Sequence, residues 1–200
     1  DLVVTSLASL VPRLTQVLIS FQQAHPDVTI RYLTGTRLFR LEYGEAHVAI
    51  RSGNAPEQPD NVVQPLFRQT LGLFAAQAYV ARHGVPANPA EFHAHRFIGT
   101  QDEGTRAPFN TWLHTLAPDA PITFRAMDER TLEEAVKGGA GIGFLPRQIG
   151  LNNPDLVEIT PADDTWSTPL WLVTHVDLHR TTKVQAFVQH LKAAAKEWEI

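Results

Sequence analysis

Hydroxyl side chains and one arginine recur directly after short apolar runs, and that placement suits the binding of an anion. Ser6 and Ser9 follow LVVT, Thr34 and Thr36 close TIRYLT and its turn, and Arg51 and Ser52 end HVAIRS. In the second half, Thr100 ends FIGT and Asp128 precedes a charged, amphipathic stretch. A guanidinium matches a carboxylate through two parallel N–H donors. The start of a helix adds free backbone N–H groups and the positive end of its dipole. Ser9 is equally suited to capping the helix that follows it, and a cap can still face a ligand. Arg37, Arg106 and Arg130 fall in similar loops, whereas pairing with Glu42, Asp102, Glu103 or Glu129 would make them ordinary surface ion pairs.

Other chemistries find less support. The glycines of KGGAGIGFLPR follow a helix and precede a strand, the reverse of the order a dinucleotide fingerprint needs. There is no G-x-S-x-G elbow and no P-loop. Glu133 and Glu134 lie on the polar face of a helix, where solvation accounts for them. His175 and His179, and also His93 and His95, have spacings that could hold a metal, but each pair falls at a strand end or in a loop. No catalytic residue, metal ligand or cofactor is assigned.

The elements that must position these residues alternate. Phe124–Arg147 reads strand, turn, helix, glycine stop, strand, proline, an αβ half-unit of a mostly parallel sheet. Leu132, Ala135 and Val136 form its apolar stripe, with Asp128 or Thr131 as the cap. The first fifty residues read β-α-β-α-β, with a helix near residues 11–24 and a further helix through Leu38, Leu41 and Tyr43 ending at Gly44. Val62–Phe67 and Thr70–Ala75 are strand-like, and a second α/β run follows: a helix at 78–83, strands at 97–100 and 122–126, and a helix at 109–116. LWLVT and an amphipathic helix at 182–198 end the chain. In such sheets ligands gather at the carboxyl ends of the strands.

With 200 residues, 44% of them hydrophobic, the chain can bury a sizeable core. A net charge of −4 offers no basic field for nucleic acid, and the lack of cysteine removes disulfides and thiolate metal sites. No apolar run is long enough for a membrane span, so a soluble, cytoplasmic protein is expected.

Taken together, Leu10-Val11-Pro12 opening a helix that ends FQQAHPDV, then LTG, YGEAHVAIRSG, KGGAGIGFLPR and HRTTKVQAFVQHL resemble the effector-binding portion of a LysR-type transcriptional regulator over essentially the whole chain. The resemblance implies an α/β fold of two Rossmann-like subdomains joined by two crossover strands, like a type 2 periplasmic binding protein. Subdomain I would comprise residues 1–70 and 175–200, and subdomain II residues 71–174. A small-molecule effector would lie in the cleft between them, touching Ser6, Ser9, Thr34, Thr36, Arg51, Ser52, Thr100 and Asp128. It also implies a homodimer, a tetramer in the full-length protein, and DNA contact through an N-terminal winged helix-turn-helix domain that this chain lacks. A transporter's solute-binding protein and an enzyme on the same fold are the rival readings. His47 is a departure, because the family usually carries an acidic residue there.

Overall fold

The computed structural model describes residues 1–35, 39–102 and 108–198. In chain order the elements are β1 (Leu2–Ser6), α1 (Val11–Ala24), β2 (Ile30–Thr34), β3 (Val48–Ser52) and β4 (Asn61–Ala76). Then come α2 (Gln77–His83), β5 (Phe97–Thr100), α3 (Pro108–Leu116), β6 (Ile122–Ala126), α4 (Glu129–Lys137) and β7 (Gly143–Pro146). The chain ends with α5 (Arg147–Leu151), β8 (Leu156–Thr160), β9 (Ser167–His175), α6 (Val176–His179) and α7 (Thr182–Ala195). Two compact units result, one of residues 1–68 and 168–200, the other of residues 69–167. The chain passes between them inside β4 and again at the start of β9, ahead of the sequence-based boundary at residue 175. Pairing explains the second crossing: β9 lies antiparallel to β3 from Leu170 to Val173, which ties it to the first unit.

In the first unit the strands run β2-β1-β3-β9-β4, with β1 parallel to both β2 and β3. Alternation along each strand sends successive side chains to opposite faces. Leu2, Val4, Val48 and Ile50 therefore meet Leu14, Leu18 and Phe21 of α1 and Val184, Phe187 and Leu191 of α7. Val3, Ala49 and Val173 face the other way, onto Leu41 and Ala46. Each such valine, leucine, isoleucine or phenylalanine, once fully buried, contributes about 1.5–3 kcal/mol, which is why the β-α-β pattern of the sequence closes into a layered unit. Leu10 and Val17 are also buried inside the unit, leaving Ile19, at 45% exposed, as the large apolar residue of α1 open to solvent. The apolar residues beyond a single stripe on this helix are thus mostly explained within one chain.

In the second unit β7 and β8 flank β4, both antiparallel to it, and β5 runs parallel to β6. A bridge between Phe97 and Ile142 joins the two groups of strands. One face is covered by α4 through Leu132, Ala135 and Val136, and the other carries Tyr79, Leu113 and Trp166. The glycine run has a packing reason. Gly139 ends the α4 turn at φ +79°. A Cβ on Gly141 would stand 2.5 Å from the Arg96 carbonyl oxygen, and one on Gly143 would stand 2.7 Å from Val136. Close strand–strand and helix–strand approach, rather than a phosphate, is what excludes side chains there.

Some local expectations change. The expected helix through Leu38 and Leu41 is, in its described part, a single 3₁₀ turn at Leu41–Tyr43, stopped by Gly44 at φ +69°. The two strand-like runs at 62–75 are one continuous strand, β4. β8 and α5 were not anticipated: five residues each are too few to establish a period.

Candidate functional site

The expected site residues divide between the two units, so each group is described within its own. In the first unit β1, β2 and β3 end at one edge, and Ser6 lies directly beside Thr34 in the β1–β2 register. The pleat decides which way each points. Ser6, Thr34 and Ser52 follow the positions of Val4, Tyr32 and Ile50, on the face covered by α1 and α7. Arg51 follows Ala49 onto the opposite face, beside Phe39 and Trp171. The strand ends thus bring Ser6, Thr34, Arg51 and Ser52 to one edge but aim the guanidinium away from the hydroxyls.

Ser6 is buried, at 3% exposed, and its hydroxyl sits 2.9 Å from the Leu7 carbonyl oxygen and 2.7 Å from the Tyr32 hydroxyl. Burial pushes the Tyr32 phenol above its ordinary value, with the Ser6 hydrogen bond working the other way. Ser9 lies in the 3₁₀ turn Ala8–Leu10 that precedes α1. The residue at the cap of α1 is Leu10, with no side-chain hydrogen bond there, so Ser9 does not cap the helix. Thr34 and Ser52 are exposed. Thr36 lies outside the described residues, as do Arg37 and Arg106.

Arg51 is half-buried and donates from Nη2 to the Phe39 carbonyl oxygen at 3.0 Å. Burial pulls its pKa below the ordinary arginine value, while the Glu42 carboxylate pulls it up. Glu42 is thus near enough to be felt, yet among the described residues no carboxylate oxygen lies within ion-pair distance of the guanidinium. Trp171, opposite Arg51 in the β3–β9 register, anchors the next turn by donating from its indole nitrogen to the Gly53 carbonyl at 2.7 Å.

In the second unit Thr100 and Ala126 are register partners, and Asp128 follows two residues later. The Thr100 hydroxyl accepts the Asp102 backbone N–H at 3.2 Å, and its carbonyl accepts from Arg125 at 3.1 Å. Asp128 caps α4 with both oxygens: Oδ1 accepts the Thr131 N–H at 2.8 Å and Oδ2 its hydroxyl at 2.7 Å. These bonds hold the carboxyl below the usual carboxylate range. A fixed negative charge already occupies the start of α4, where an anion would otherwise be favoured. Asp128 acts as a helix cap in this structure.

Tyr32 and Trp171 were not anticipated. Their letters read as strand core, and only the fold shows one hydroxyl on Ser6 and one indole beneath the Arg51 turn. His47, which departs from the resembled pattern, has a definite task. Its ring Nδ1 accepts the Val3 N–H at 2.8 Å while the His47 backbone N–H donates to the Val3 carbonyl at 2.9 Å. Burial first, and then the Lys183 charge, push its pKa below the ordinary value. Of the other histidines, His175 accepts the Asp177 N–H at 3.3 Å and His179 meets the Thr174 hydroxyl at 2.9 Å. Among the described residues no group of three or more His, Asp or Glu side chains could hold a metal ion. No helix among them is long and apolar enough to cross a membrane.

Comparison with known proteins gives a consistent picture. Residues 2–196 match the family model of the LysR substrate binding domain. A probable HTH-type transcriptional regulator, LtrA of Klebsiella pneumoniae, is 25% identical over 183 residues, which are 88% of this chain and 59% of that protein. The chain therefore spans about three fifths of the length of that relative. The regulatory domain of CrgA from Neisseria meningitidis superposes with a TM-score of 0.81 at 19% identity, covering 96% of this chain and 97% of that one. Full-length AphB of Vibrio cholerae gives 0.75 at 16% identity, with 96% and 67% covered. The effector binding domain of AmpR from Citrobacter freundii gives 0.74 at 16% identity, with 98% of each chain covered. At these identities the superpositions establish the fold.

Proposed function

From the chain's membership of the LysR substrate-binding domain family, which it joins through residues 2–196, we propose that it senses a small anionic effector, a carboxylate, at the strand ends of its first unit. The carrying observation is Arg51. It stands at the carboxyl end of a parallel strand, half-buried, and holds a backbone carbonyl rather than a carboxylate. A guanidinium stays charged throughout the physiological range and has five N–H donors, so one bond to Phe39 leaves a fork for a ligand. Low exposure strengthens the pairing because less water competes with it. The edge of the second unit, where Asp128 already caps α4, supports a neutral or hydrogen-bonding contact through Thr100 instead.

The effector would act on transcription through a DNA-binding domain outside this chain, with two copies of the sensing domain associated. The chain does no catalysis in this reading. The test is charge reversal. In a thermal-shift screen of small carboxylates, ligands that bind the folded state raise its melting temperature. Arg51→Glu abolishes that rise while leaving the ligand-free melting curve cooperative. A variant that still responds to the same carboxylate, or an effector that carries no negative charge, refutes the proposal.

A further inference from the structure

We propose that Tyr79 and His95 form an acid-released latch in the second unit, holding the start of β5 at neutral pH and freeing it when the imidazole is protonated. The contact precedes β5, at the end of that strand away from Thr100, and does not depend on the reading of Arg51. The Tyr79 oxygen has two neighbours, the Arg96 backbone N–H at 3.0 Å and the His95 Nδ1 at 3.2 Å. A backbone N–H can only donate, so Tyr79 accepts from Arg96 and has its own hydrogen left to place. Tyr79 is 1% exposed, and among the described residues His95 Nδ1 is the acceptor within reach of that hydrogen. The imidazole is therefore neutral, with its hydrogen on Nε2 and its Nδ1 lone pair turned to the phenol.

Protonation sets two hydrogens against each other in this bond. With a proton on Nδ1, either the phenol hydrogen or the imidazolium hydrogen must turn away, and His95, at 7% exposed, leaves little water to meet it. A buried donor without an acceptor costs more than the neutral bond contributed. Burial first, and then His83, push the His95 pKa below its ordinary 6.5, with Glu91 working the other way. Among the described residues these are the charged groups that face the imidazole: His83 from the end of α2, its ring 4.6 Å from that of Tyr79, and Glu91 from the 3₁₀ turn Pro89–Ala94. The nearby His93 ring is engaged with the Ala90 carbonyl, and Arg82 with that of Ala78. A histidine depressed in this way contributes stability that is fully present above about 6.5 and is lost as pH falls through the lower folded value. The released contact has a defined place. Tyr79 ties α2 to the Arg96 N–H, and the Arg96 carbonyl accepts the N–H of Ile142, just ahead of β7, at 2.8 Å. Acidification thus loosens α2 and the seam between β5 and β7, in which the strand ending at Thr100 is seated.

Magnetic resonance on the chain tests this. Imidazole nitrogen shifts at pH 7.5 identify His95 as the Nε2–H tautomer; an Nδ1–H tautomer overturns the inference without any substitution. Amide exchange, corrected for its intrinsic pH dependence, gives the protection of the Arg96 N–H. That protection falls between pH 7.5 and 5.0, by up to about tenfold for each pH unit between 6.5 and the folded value, the limit for one linked proton. His95→Asn places a carbonyl oxygen near the position of Nδ1 and cannot titrate, so it keeps the protection at pH 7.5 and abolishes the fall. Tyr79→Phe removes the opposed hydrogen, so the His95 pKa rises toward 6.5. The exchange is repeated in His47→Asp, where the buried histidine of the first unit is gone, and the fall at Arg96 persists. Protection that stays constant to pH 5.0, a fall of the same size in His95→Asn, or one that vanishes in His47→Asp overturns the latch. A His95 pKa unmoved by Tyr79→Phe does so as well.

Discussion

Replacing His47 offers a direct test of how the first unit is held together. The imidazole Nδ1 accepts the Val3 N–H at 2.8 Å, and Val3 is only 6% exposed, so water is a poor substitute. His47→Ala removes the acceptor and strands a buried donor, at a cost of about 1–3 kcal/mol. For an m-value near 2 kcal/mol/M the urea midpoint falls by about 0.5–1.5 M. His47→Asp, with the residue type usual in the family, keeps an acceptor and places a carboxylate near Lys183, so it recovers much of that loss at neutral pH. The pH dependence separates the two acceptors. Burial and Lys183 push the folded-state pKa of His47 below its ordinary 6.5. A depressed histidine contributes stability that is fully present above about 6.5 and is lost as pH falls through the lower folded value, where protonation occupies Nδ1. The wild type therefore loses stability below pH 6.5 relative to His47→Asp, whose carboxylate stays ionised to about pH 4. Urea titrations of the three proteins at pH 7.5 and 5.0 read this out. Equal midpoints for wild type and His47→Ala at pH 7.5, or parallel pH profiles for wild type and His47→Asp, would refute the reasoning.

Two further outcomes are expected. Gly141→Ala puts a methyl 2.5 Å from the Arg96 carbonyl, which is fixed by the Ile142 N–H, so it destabilises the second unit by about 1–3 kcal/mol or more by denaturant melting; a change within ~0.5 kcal/mol would mean the β5–β7 spacing yields easily. In sedimentation at micromolar concentration the chain self-associates, with Ile19 of α1 and the β2 sheet edge as the available surface; a lone 22.2 kDa species would count against this.

The alternation of strands and helices was legible in the sequence because burial imposes a period. Leu14, Leu18 and Phe21 repeat as one face of α1, and short β-branched runs mark the sheet. The resemblance likewise lay in the order of local motifs, and it placed hydroxyls and Arg51 at strand ends. What the letters do not carry is direction and partnership. Asp128 reads equally as ligand contact and cap, and only Thr131, held on both carboxylate oxygens, decides for the cap. Arg51 and Ser52 are neighbours in sequence, but the two-residue period of a strand sends them to opposite faces. His47 looked like an anomaly until a strand 44 residues away supplied the N–H that its ring accepts. Tyr32 was hidden for the same reason, since its hydroxyl matters only where parallel pairing of β1 and β2 sets it against Ser6. Periodicity is a property of neighbouring residues and can be read along the chain. A hydrogen bond between strands depends on register, which is settled only when the whole sheet packs.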